Sequence, residues 1–133
     1  MTNLEPLSWE PALELGIAAI DAQHQALFAE YNAMCDAFIA EAGAEQLNRM
    51  FIGLVDHIET HFRDEEALMR QLRHPEFGSH RAEHQRLLEQ VREVRDRAKQ
   101  GQVVLTLQML SFLRGWVRDH ILNEDSKILT KQH

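Results

Sequence analysis

His61 and Glu65 stand one helical turn apart in the stretch His57-Ile58-Glu59-Thr60-His61-Phe62-Arg63-Asp64-Glu65-Glu66. Leu47, Met50, Phe51, Leu54, Ile58, Phe62, Leu68, Met69 and Leu72 recur around them at helical spacing and mark a core face. Both polar residues fall on that face. A carboxylate there is costly unless a cation meets it, and an imidazole one turn away points to a metal ion as that cation. The same anomaly recurs elsewhere. His24 lies on the stripe Ile20, Leu27, Phe28, Tyr31, Met34, Cys35, Phe38. His80 and His84, four residues apart, open the stripe Phe77, Leu87, Leu88, Val91, Val94, Ala98. His120 continues the face of Leu110, Leu113, Trp116 and Val117, and Asp125 follows at five residues, on the same side if the last turn loosens.

The elements that must carry these residues are four amphipathic segments, at about 20–42, 44–72, 77–99 and 103–122. Asp21 is a candidate N-cap for the first, and Gly43 offers a left-handed cap at its end. His74-Pro75 forces a turn after the second, and Lys99-Gln100-Gly101 ends the third. Residues 1–18 read as an irregular arm, broken by Pro6 and Pro11, with Gly16 at a turn and Trp9 among the residues anchoring it across the helices. Short connections between long helices make an antiparallel, up-down-up-down four-helix bundle, a single all-α domain over 1–133. In that topology the start of helix one, the end of two, the start of three and the end of four share one end. His24, His61, Glu65, His80, His84, His120 and Asp125 then come within a few turns of one level.

Five imidazoles and two carboxylates are too many for one zinc ion, which takes about four ligands. Two octahedral ions need about twelve positions. The histidines fill five, two bridging carboxylates four, and one bridging oxygen two, leaving one open. Mixed imidazole and carboxylate ligation suits iron better than calcium or magnesium. His57 is also four residues from His61 and competes with Glu65 as its partner, but it lies a turn off the shared level and would leave the site short of a carboxylate. His74 and His133 read as exposed, and Glu66 and Glu124 as solvated or as outer partners of ligands.

Composition narrows the partners. A net charge of −7 with no basic run argues against nucleic acid and against an anionic membrane surface. No apolar run is long enough to span a bilayer, and the first residues lack the charge and apolar run of a signal peptide. The one cysteine, Cys35, sits on a core face as a buried thiol. These features place the protein in the cytoplasm.

Ile20-Asp21-Ala22-Gln23-His24, His61-Phe62-Arg63-Asp64-Glu65-Glu66, His80-Arg81-Ala82-Glu83-His84 and Trp116-Val117-Arg118-Asp119-His120-Ile121 with Asp125 resemble the hemerythrins, and among them the single-domain bacterial ones. The likeness covers nearly the whole chain. It implies that His80, His84 and His120 hold one iron, that His24 and His61 hold the other with its open position, and that Glu65 and Asp125 bridge the two beside an oxo or hydroxo group. It also implies reversible binding of dioxygen at a non-haem di-iron centre, for carriage, storage or delivery to an unknown protein recipient, rather than enzymatic turnover. The same ligands would serve a module that senses oxygen, nitric oxide or iron. A carboxylate-rich di-iron oxidase is disfavoured because no histidine has Glu three residues before it. A zinc peptidase, hinted at by His80-Arg81-Ala82-Glu83-His84, leaves the remaining candidates unexplained.

Overall fold

The computed structural model describes residues 6–9, 16–102 and 104–120. Helices α1 (Ala18–Ile39), α2 (Ala44–Gln71), α3 (Phe77–Lys99) and α4 (Leu107–Asp119) follow in order, with no strand among the described residues. Cross-helix contacts fix the directions. Gln23 of α1 meets Asp64 of α2, whereas Glu30, two turns later, meets His57, two turns earlier. Glu66 pairs with His84 of α3, while Glu59 pairs with Arg92. Both neighbours therefore run antiparallel to α2. α1 also packs on α4, giving the four-helix bundle.

The stripes read from the sequence form the core. Tyr31, Met34, Phe51, Leu54, Ile58, Val91, Leu110 and Leu113 are fully buried. Leu72, the last member of the α2 stripe, remains exposed, as do Leu107 and Phe112 of α4. Asn48, a polar residue inside the α2 stripe, is buried because its amide donates to the Gln102 carbonyl at 2.8 Å, tying α2 to the end of α3. Beside the core, Arg92 and Arg95 clasp Glu59. Its partial burial pushes the carboxyl up, but the two guanidiniums more than offset this and leave it below its ordinary range. Of the arm, Leu7 is buried and Asn32 grips its backbone, accepting from its N–H at 2.8 Å and donating to its carbonyl at 2.9 Å. Trp9 sets its ring edge-on to Phe28, 5.5 Å between centroids.

Helix ends depart from the sequence reading. α1 starts two residues early, with Ile17 at the N-cap, so Asp21 does not cap it. Asp21 instead accepts from the Gly16 N–H at 3.1 Å and holds the preceding turn, where Gly16 has φ +83°. At the other end the left-handed residue is Glu41 (φ 60°), while Gly43 is extended and opens α2. The bond from the Ala42 N–H to the Ala37 carbonyl needs a positive φ at Glu41, wherever glycine lies in the sequence. Arg73 (φ 51°) ends α2 through the matching bond from His74 to Met69. Exposed Glu41 is thus strained, and Glu41→Gly should raise stability by about 1 kcal/mol. A thermal melt should show the midpoint moving up. α4 starts at Leu107, later than the expected 103, because Thr106 caps it by accepting from the Met109 N–H at 3.1 Å. His74 is buried, not exposed. The chain turns back over it, and its Nδ1 accepts from the Glu76 N–H at 3.1 Å.

Candidate metal centre

α1, α2, α3 and the end of α4 bring His24, His61, Glu65, His80, His84 and His120 into one buried cluster. Asp125 lies outside the described residues, as do Ile121, Glu124 and His133. Glu65, with no exposed surface, is the centre. Its Oε1 faces Nε2 of His80, of His84 at 3.2 Å and of His120 at 3.5 Å. Its Oε2 faces Nε2 of His61 at 3.0 Å and of His24 at 3.9 Å. One carboxylate thus divides five imidazoles into a set of three and a set of two. Burial pushes the Glu65 carboxyl up. The nitrogens of His120, His24, His61 and His80 at its oxygens outweigh that and hold it well below the ordinary range, so it stays ionised.

The proton positions on two rings test whether a cation belongs here. Gln23 donates its amide N–H to Asp64 Oδ2 at 2.6 Å, which turns its oxygen towards His61 Nδ1 at 2.9 Å. Glu66 Oε2 lies 2.8 Å from His84 Nδ1. Each Nδ1 faces an acceptor and so carries the proton. In the neutral ring, Nε2 is then a lone pair aimed at a Glu65 oxygen. His84 Nε2 makes no hydrogen bond despite that approach. Lone pair facing lone pair is unfavourable unless the rings are protonated or a cation lies between. Charging several imidazoles in one dry space is itself repulsive. Metal ions between the nitrogens and the carboxylate remove both problems, so the donor set fits them.

Aromatic side chains fix the rings. Phe62 stacks on His84 at 3.7 Å between centroids and 2° between planes, and Trp116 on His120 at 4.7 Å and 17°. His57 takes no part in the cluster. Its side chain is 63% exposed, and its Nδ1 pairs with Glu30 at 2.6 Å. Glu66, paired with His84, is also held by Arg81 at 3.7 Å. Gln23 was not singled out by its sequence. Its place beside His24, on the turn of α1 facing α2, is the signal that could have found it. Removing either outer acceptor frees a ring to turn, so Gln23→Ala and Glu66→Ala should each weaken metal binding by roughly 10–100-fold. Competition with a graded chelator series measures this.

The fold and the cluster together define a four-helix bundle with a buried histidine and glutamate cluster able to hold metal. The family model of the hemerythrin HHE cation binding domain matches residues 15–131, and the chain belongs to the hemerythrin family. It is 37% identical to a bacteriohemerythrin of Ralstonia nicotianae, over 86% of this chain and 80% of that one. It is 30% identical to a bacteriohemerythrin of Pseudomonas paraeruginosa, over 90% and 77% of the two chains. A solved wild-type hemerythrin superposes with a TM-score of 0.84 over 96% of this chain and 98% of its own, at 22% identity, a likeness of fold.

Proposed function

We propose that this chain holds two iron ions in the cluster and binds dioxygen reversibly, without turning over a substrate. The observation that carries the reading is the division of the imidazoles by Glu65, three at Oε1 and two at Oε2. Two ions sharing one carboxylate account for that division, and a single ion does not. In this reading His80, His84 and His120 hold one ion, His24 and His61 hold the other, and Asp125 supplies the second bridge. Bound, the ion pair supplies the electrons for reversible oxygen binding, and the poorer histidine set keeps a position open for the ligand.

The rest of the chemistry belongs to side chains. His61 and His84 keep their protons outward on Gln23 and Glu66. Phe62 and Val117, both buried, exclude water and charged solutes. Membership of a family whose relatives carry the name bacteriohemerythrin supports the same reading. No helix among the described residues is long and apolar enough to cross a membrane.

Protein purified with iron available should contain two irons per chain. The reduced protein should be nearly colourless, gain a visible absorption band in air and lose it under argon. One zinc and no iron would overturn the metal assignment. A band that never reverses would replace the carrier reading with sensing or redox chemistry at the same site.

A further inference from the structure

Every member of the cluster is at least 95% buried, so an ion arriving from water must cross the helix layer. Two surface pockets adjoin cluster residues. One, between α2 and α3, has a volume of about 330 Å³ and sets three arginines, Arg63, Arg81 and Arg92, against three glutamates, Glu59, Glu66 and Glu89, so its charges cancel and nothing in it draws a cation. Its Phe62 wall is the ring stacked on His84. The other, between α1 and α2, has a volume of about 150 Å³. Ala26, Leu27 and Thr60 line it together with Gln23 and His61 of the site, and His57 and Glu30 stand at its solvent side.

His57 Nδ1 lies 2.6 Å from both Glu30 oxygens, so an imidazole nitrogen and a carboxylate converge on one point. These are the two ligand types of the cluster itself, one helical turn out from His61. Side-chain exposures of 63% and 29% leave the pair free to part by the few tenths of an ångström that an ion requires.

Resting on the di-iron reading above, we propose that His57 and Glu30 form a capture site for a divalent transition-metal ion, here ferrous iron, and that the α1–α2 pocket conducts it to the cluster. The carboxylate draws the cation, and the imidazole selects a transition metal over calcium or magnesium. The Gln23 oxygen and His61 receive it at the inner end. His61 presents Nδ1 to Gln23 on the pocket side and Nε2 to Glu65 on the cluster side, so this one ring separates the pocket from the cluster. The simpler alternative is an ion pair that only ties α1 to α2.

The test mixes metal-free full-length protein with ferrous iron alone under anaerobic conditions, quenches with chelator at timed intervals, and counts iron retained. His57→Gln keeps a hydrogen bond to Glu30 but loses the imidazole, and Glu30→Gln removes the charge. Both should finish at two irons per chain, as wild type does, but load at least about tenfold more slowly, the lower end of what a focused charge adds to an on-rate. Ala26→Phe, which fills the pocket, should slow loading likewise. Glu89→Gln, on the rim of the α2–α3 pocket, should load at the wild-type rate. Equal rates in wild type, His57→Gln and Glu30→Gln would overturn the port while leaving the di-iron reading intact. Equal slowing by Glu89→Gln would reduce it to general surface charge. A wild-type count other than two would take down the parent reading and the port with it.

Discussion

Glu65→Ala should fold and lose the ability to hold two metal ions, dropping from two per chain to at most one. The side chain is fully buried and is the single described group placed between both histidine sets. Without it, His80, His84 and His120 keep three nitrogens for one ion, a set that still suits a single metal with an open position. His24 and His61 keep only two, so their ion should be lost first. Metal analysis after gel filtration gives the count. The isosteric Glu65→Gln separates charge from volume. An amide oxygen still reaches one side, but the bridging anion is gone, so Gln should resemble Ala in metal content. Two ions retained in both variants would mean that Glu65 does not bridge.

The amphipathic stripes were legible because burial on one face of a helix leaves a 3.6-residue period that needs no partner to be seen. Polar exceptions on those stripes gave the cluster for the same reason. His24, His61, Glu65, His80, His84 and His120 stand where apolar residues belong, and the structure brings them together. What the sequence hid depended on contacts between elements. Gly43 looked like the cap because glycine favours positive φ, yet the α1–α2 turn sets where the chain must reverse, and Glu41 bears the strain. His74 reads as a surface turn residue from Pro75 alone, because its burial depends on how the turn folds back, with Nδ1 accepting from the Glu76 N–H. Gln23 has no periodic signature, since an outer acceptor is defined by the ring it meets on another helix. His57 carries the spacing of a ligand, but at its position the α1 residue opposite is Glu30 rather than a second histidine.

Stripping the metal should lower the thermal midpoint by roughly 20 °C, taking about 2.7 kcal/mol for each of two ions at a hundredfold excess over its Kd and about 4 °C per kcal/mol for a domain of this size. The physical source is local. The folded chain holds five imidazoles and a carboxylate in one dry space, and bound cations would add their binding free energy to the folded state alone. Their loss should loosen one end of the bundle. Amide exchange should rise around His61 and Glu65 in α2 and around His80 and His84 in α3, where the cluster sits. It should change little around Phe51, Leu54, Val91 and Val94, which belong to the apolar core towards the other end. Scanning calorimetry with and without chelator, followed by exchange mapped along α2 and α3, measures both parts. A metal-free protein as stable as the loaded one would refute the coupling of metal to fold. A uniform rise in exchange along all four helices would instead mean that the cluster end and the apolar end unfold as one unit, with the metal stabilising the whole bundle.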